Sequence, residues 1–201
     1  MTDLDGTLLA GNSMKRFMRW LPGELWRRNP FRACESLLWI ALRGARLVSH
    51  RRMKWHLGHI ALLSLSASDW QRFASEALLP MLNPGITELI RGLQEKGTTV
   101  CIASAAMEDY VAPLCRLLGY DHHLATRHSP RISEYTELRG VRKLRAIDNL
   151  ASKEDLFISL FLTDHADDLP TAAAYPAETI IVNPTPQSDT IFADAGIKRR
   201  L

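Results

Sequence analysis

A chain of 201 residues, 46% hydrophobic and 23% charged, can bury the core of one α/β domain or of a smaller domain carrying an insertion. No apolar run reaches the roughly 18 residues needed to span a bilayer, and the start lacks a basic-then-apolar signal pattern, so the expected location is cytoplasmic. The three cysteines, Cys34, Cys101 and Cys115, are odd in number and show no CxxC spacing, so neither a disulfide framework nor a zinc cluster is suggested and they are expected core residues.

The net charge is only +3, but it is unevenly spread. Residues 12–78 hold 12 Lys+Arg against 4 Asp+Glu, leaving 13 against 18 for the rest of the chain. All five tryptophans, Trp20, Trp26, Trp39, Trp55 and Trp70, fall in the same window and are expected mostly in its core. The histidine pairs His56/His59 and His122/His123 have no third spaced ligand, so no metal is assigned to them.

In chain order, MTDLDGT opens with two aspartates one residue apart ahead of a glycine turn. Residues from about Met14 to Leu79 then read as helices, broken at Leu21-Pro22-Gly23, at Asn29-Pro30 and around Ser49. One of them carries the consecutive apolar run Leu37 to Leu42 between charged ends, and Ser66 offers an N-cap to the next. Pro84 opens a helix that Gly97 ends, and TTVCIAS follows as a buried β-branched strand. A helix near Glu108–Leu118, a strand near His123–Ala125, a helix near Val141–Leu150 and strands at FISLFL and ETIIVN complete an alternation that predicts a parallel sheet covered on both faces.

Ligands of such sheets bind beyond the carboxyl ends of the strands. That rule singles out the Asp3–Thr7 loop, Ser104 after TTVCIA, the segment leading to Lys143, and Thr163–Asp168 after FISLFL. Asp3 and Asp5 share one face of an extended segment, and a turn at Gly6 lets both approach a common centre, one as nucleophile and the other handling protons. Asp164, Asp167 and Asp168 add further carboxylates, whose mutual repulsion a hard, oxygen-seeking cation such as Mg²⁺ would relieve. Ser104 can donate a hydrogen bond and Lys143 supplies fixed positive charge, so the set suits a dianionic phosphoryl group.

This order, DLDGTLL, a strand ending in Ser, a Lys near a helix start and a strand ending in D-x3-D, resembles the haloacid dehalogenase superfamily, and more narrowly its phosphoserine-phosphatase-like branch. ATR at Ala125–Arg127, the segment Glu137–Gly140 and SLFLTDHADDLP carry the same resemblance. It implies a three-layer Rossmann-like core of residues 1–11 and 79–201, with 12–78 inserted as a helical cap. It further implies a phosphomonoesterase with Asp3 as the nucleophile forming an aspartyl-phosphate and Asp5 as acid and then base. The Mg²⁺ would be held by Asp3, the Asp5 backbone carbonyl and Asp164, with Asp168 in support, and the phosphoryl oxygens by Ser104, Lys143 and amides near Gly6. Dehalogenases of the superfamily lack an acid where Asp5 stands, which favours the phosphatase branch.

A cap carrying +8 favours anionic substrates, either small or lipid-linked phosphates. Its Arg and Trp content is that of an interfacial surface, and its text is similar in character to the phosphatidylglycerophosphate phosphatases of the superfamily, so peripheral contact with the inner face of the membrane is a further expectation. No nucleic-acid-binding motif is present, and no nucleic acid partner is expected. Two features depart from the pattern. His165 follows Asp164 where the family usually has a small residue. Only Met1 and Thr2 precede Asp3 where the family has a strand of about five residues, a loss worth several kcal/mol of burial. The sequence therefore starts downstream of its natural beginning, the preferred expectation, or belongs to a weakened relative that binds anionic ligand or membrane without catalysis.

Overall fold

The computed structural model describes residues 1–201. Residues 12–78 are helical: α1 (Ser13–Trp26), α2 (Pro30–Gly44), α3 (His50–Ser64) and α4 (Ala67–Arg72), the last running into a π-helical turn at Phe73–Leu78. Asn12, Asn29, Ser49 and Ser66 cap these helices, each accepting a backbone N–H of the first turn on its side chain. The break expected at Pro22-Gly23 does not occur. Pro22 lies inside α1, buried with Leu21 and Leu25, and that packing outweighs the missing hydrogen bond.

The remainder alternates: α5 (Pro84–Gln94), β1 (Cys101–Met107), α6 (Glu108–Leu117), β2 (His122–Thr126), α7 (Val141–Lys153), β3 (Phe161–Thr163), α8 (Leu169–Ala174), β4 (Thr179–Ile181) and α9 (Pro186–Asp194). β1 pairs in parallel with β2, and β3 with β4. The two pairs are joined through the first residues of the chain, because Thr2 bridges Ile102 of β1 and Leu162 of β3, both in parallel. The amides of Thr2 and Asp3 donate to the carbonyls of Cys101 and Leu162 at 2.9 and 2.8 Å. The ladder thus reads β2, β1, Thr2, β3, β4.

Adjacent strand residues point to opposite faces, and the packing follows that rule. Ile102 and Leu162 join Val111 and Leu114 of α6 in the large core, while Ala103 and Phe161 pack with Ile147 of α7 on the other side. Helices therefore cover both faces of the sheet. An aromatic group ties the helical segment to this body: Phe17 of α1 lies 5.5 Å from Trp70 and from Phe73, and Phe73 lies 5.4 Å from Tyr110 of α6.

Several expectations shift. Of FISLFL only Phe161 and Leu162 are in a strand, and β1 runs on past Ser104 to Met107 with an irregularity in its pairing after Ala103. Only Trp70 among the tryptophans is fully buried, Trp26 being exposed, and Cys34 is exposed while Cys101 and Cys115 are buried.

Candidate active site

Thr2 has β1 on one side and β3 on the other, and the chain reaches those neighbours by separate routes, so the crevice beyond their carboxyl ends is the sheet's switch point. A cleft of about 660 Å³ opens there. It is lined by Asp3, Asp5, Gly6, Ser104, Lys143, Asp164 and Asp168, the whole set singled out from the sequence.

Lys143, on the first turn of α7 and almost fully buried, reaches across the sheet ends to Asp3 Oδ1 at 2.8 Å and to both oxygens of Asp168, at 2.6 and 2.8 Å. Asp168 Oδ2 also accepts from the Thr163 hydroxyl at 2.8 Å. Both Asp168 oxygens therefore bind the ammonium, so this carboxylate holds Lys143 beside Asp3, where the resemblance had it supporting the metal. Burial alone would lower the Lys143 pKa, but the two carboxylates outweigh it and raise it, so the lysine stays charged. Asp3 is pushed up to about 7, first by burial and against the pull of Lys143.

The Asp5 carboxylate turns the other way, towards the start of α1. Its Oδ1 accepts from the Ser13 amide at 2.6 Å and its Oδ2 from the Ser13 hydroxyl at 3.0 Å, while Ser13 Oγ lies 3.1 Å from the Tyr110 hydroxyl. Burial raises the Asp5 pKa and the two Ser13 bonds oppose it. A carboxyl at a helix N-terminus is favoured as an anion, so burial and the helix pull in opposite directions.

Gly6 is left-handed, at φ +84°, and Asp164 packs directly on its Cα. Asp164 Oδ1 accepts from the Thr7 hydroxyl at 3.1 Å, and its pKa is pushed up to about 6, first by burial. Ser104 Oγ accepts the Ala106 amide at 3.2 Å, leaving its own proton free to donate. Asp167 also lines the cleft but is ion-paired to Arg139 at 2.6 Å, and the exposed side chain of His165 accepts the Asp167 amide at 3.1 Å.

Three oxygens of residues lining the cleft have no hydrogen-bond partner. Asp3 Oδ2 and Asp164 Oδ2 accept no hydrogen bond, and neither does the Asp5 carbonyl. No three carboxylate, imidazole or thiol side chains are grouped closely enough to form a metal cluster by themselves, but two carboxylates and a backbone carbonyl are the hard oxygen donors that Mg²⁺ takes alongside water.

Sequence reasoning passed over several residues. Lys54 of α3 is buried and donates to the Ala105 carbonyl and to Glu137, each at 2.6 Å. Its signal was periodic: Lys54, Leu57, Gly58 and Ala61 share one buried helix face. Ser13, Tyr110 and His50 also line or support the cleft, and none of them was singled out from the sequence. On the same helix as Lys54, Arg51 Nε donates to the Tyr135 carbonyl at 3.0 Å and Trp55 to the Ser129 carbonyl at 2.9 Å.

A family model described as haloacid dehalogenase-like hydrolase matches residues 1–173. A probable phosphatase of Mycobacterium tuberculosis is 28% identical over 195 residues, spanning 90% of this chain and 67% of that protein. Among solved structures, a protein of unknown function from Bordetella pertussis Tohama I superposes with a TM-score of 0.78 at 19% identity, covering 100% of this chain and 96% of that one. A phosphoserine phosphohydrolase-like protein from Francisella tularensis superposes at 0.60 and 18% identity, covering 100% and 93%. Both likenesses agree with the mixed α/β, Rossmann-like architecture.

Proposed function

Because the chain belongs to the haloacid dehalogenase-like hydrolase family, we propose that it is a Mg²⁺-dependent phosphomonoester hydrolase that works through an aspartyl-phosphate on Asp3. The observation that carries this reading is the Lys143 ammonium 2.8 Å from Asp3, in the same cleft as Asp5 and Asp164. The description of the mycobacterial relative as a probable phosphatase supports it.

Asp3, Asp164 and the Asp5 carbonyl would hold the cation, which when bound offsets the charge of the phosphoryl group and of the carboxylates around it. Ser104 and Lys143 would bind phosphoryl oxygens, with amides near Gly6, and orient the phosphorus towards Asp3. An Asp3 oxygen attacks phosphorus in line while the ester oxygen leaves, taking the proton of the Asp5 carboxyl. Ionised Asp5 then removes a proton from water, whose oxygen attacks the same phosphorus. Inorganic phosphate departs, and the Asp3 carboxylate and Asp5 carboxyl are restored. Ser13 fixes the plane of the Asp5 carboxyl through both oxygens, so the proton is presented in one direction.

The helical segment 12–78 acts in this reading as a cap that excludes water and selects substrate, with Lys15, His50 and Lys54 facing the cleft from it. Lys54 and Arg139 are already paired with Glu137 and Asp167, so Lys15 at the rim and Lys143 at the floor are the cations that favour an anionic substrate, a small or lipid-linked phosphate. The test is phosphate release from a generic aryl phosphate with Mg²⁺, with EDTA, and with Asp3→Asn. Expected are release that EDTA abolishes and Mg²⁺ restores, and an acid-stable, hydroxylamine-labile phosphoryl label on the wild type that Asp3→Asn lacks. Release that persists in Asp3→Asn, or none from a panel of phosphomonoesters, overturns the reading.

A further inference from the structure

Helix α2 turns its apolar side outward. Its only fully buried residues, Ala33 and Ser36, define the inward direction. About half a turn away lie Phe31, 85% exposed, and Leu38, 56% exposed, with Cys34, Leu37 and Ala41 also exposed beside them. No charged side chain interrupts that face, since Arg32, Glu35 and Arg43 sit half-buried on its flanks. Just before α2 in the chain stands Trp26, 58% exposed, and just after it Leu47, 73% exposed. Seven of the eleven exposed large hydrophobic side chains fall between residues 26 and 63, so the exposure is concentrated there. A soluble surface helix normally shows the reverse arrangement.

The rim of the patch is cationic. Arg27, Arg43, Arg46 and Arg52 have no carboxylate partner, whereas Glu24, Glu35 and Asp69, three of the four acids of residues 12–78, are already held by Arg28, Arg72 and Arg32. We infer that the outer face of α2 docks on an anionic lipid surface, with Trp26, Phe31, Leu37 and Leu38 entering the headgroup and acyl boundary and Arg27, Arg43 and Arg46 meeting lipid phosphates. Charge selects this occupant. A second copy paired on the same face would bring two sets of these arginines together without free acids to receive them. A nucleic acid would take the arginines but leave the large apolar side chains in water. A helix lying flat with Lys/Arg at its edges and Trp, Phe and Leu beneath is the arrangement that binds an interface.

The inference is independent of the phosphatase reading, and hydrolysis of a soluble substrate reports on the cleft separately. Cys34, the one exposed cysteine, stands within the patch and takes an environment-sensitive fluorophore on the otherwise unaltered full chain. Vesicles of equal parts phosphatidylcholine and phosphatidylglycerol are expected to blue-shift the label and to float unlabelled protein at low salt. Vesicles of phosphatidylcholine alone, or high salt, do so weakly. Phe31→Asp with Leu38→Asp, and separately Arg27→Glu with Arg46→Glu, should each lower binding by roughly ten-fold or more while leaving the melting temperature unchanged, because all four positions are exposed. Absence of flotation on the anionic vesicles at low salt overturns the inference. So does binding that the Phe31/Leu38 variant retains, or a concentration-dependent dimer that this variant abolishes.

Discussion

Replacing Gly6 by alanine tests how closely the site depends on backbone geometry. A Cβ on Gly6 would stand 2.1 Å from Asp164 Oδ2 and 2.6 Å from its Cγ. Ordinary contact begins at 3.4 Å, so the carboxylate must retreat by roughly 1.3 Å or the loop must open. The φ of +84° adds strain for any L-residue, of order 1–3 kcal/mol. At about 2–4 °C per kcal/mol for a chain of this size, the melting temperature should fall by roughly 2–12 °C. Moving Asp164 by about an ångström should cost on the order of a hundred-fold in kcat, since positioning carries this chemistry. The assay is steady-state phosphate release at saturating Mg²⁺ together with thermal unfolding. Gly23→Ala is the control, because nothing lies within 4 Å of its Cβ and it sits inside α1; it should stabilise by about 0.5–1 kcal/mol and leave turnover alone. Gly6→Ala with wild-type melting and turnover within about three-fold would refute the geometric reasoning.

Two further outcomes concern charge. Burial raises Asp3 to about 7 and Asp164 to about 6, so the folded metal-free protein holds protons that the unfolded chain releases, near pH 3.9. The stability these groups contribute is full below about pH 4 and is lost as pH rises through about 7. Mg²⁺ competes with those protons, so it should raise the melting temperature more at about pH 8, where a hundred times Kd stabilises by about 2.7 kcal/mol, than at about pH 5; equal shifts at both pH values would count against the assigned ligands. Asp69 is the opposite case, its pKa held well below the ordinary range chiefly by the Arg28 hydrogen bonds at 2.6 and 2.8 Å. Its stabilisation is present above about pH 4 and lost as pH falls towards the depressed folded value. Asp69→Asn should cost about 2 kcal/mol, or roughly 4–8 °C in melting temperature at neutral pH, with a gap that narrows on acidification. A gap independent of pH would place the effect in packing.

The sequence by itself determined the architecture of alternating strands and helices and which residues meet in the candidate cleft. Asp3, Ser104, Lys143 and Asp164 could be found because strand ends, helix starts and turn residues are local features, and a parallel sheet gathers its strand ends on one edge. Tertiary structure decided what depends on partners distant along the chain. Lys54 finds Glu137 83 positions away, and Asp168 gives both its oxygens to Lys143, 25 positions before it. Pro22 continues a helix because its surroundings bury it. The outward face of α2 could not be read locally either: a run apolar on most sides, Leu37 to Leu42, has no preferred inside until α1 and α3 take up one flank and leave the other to water.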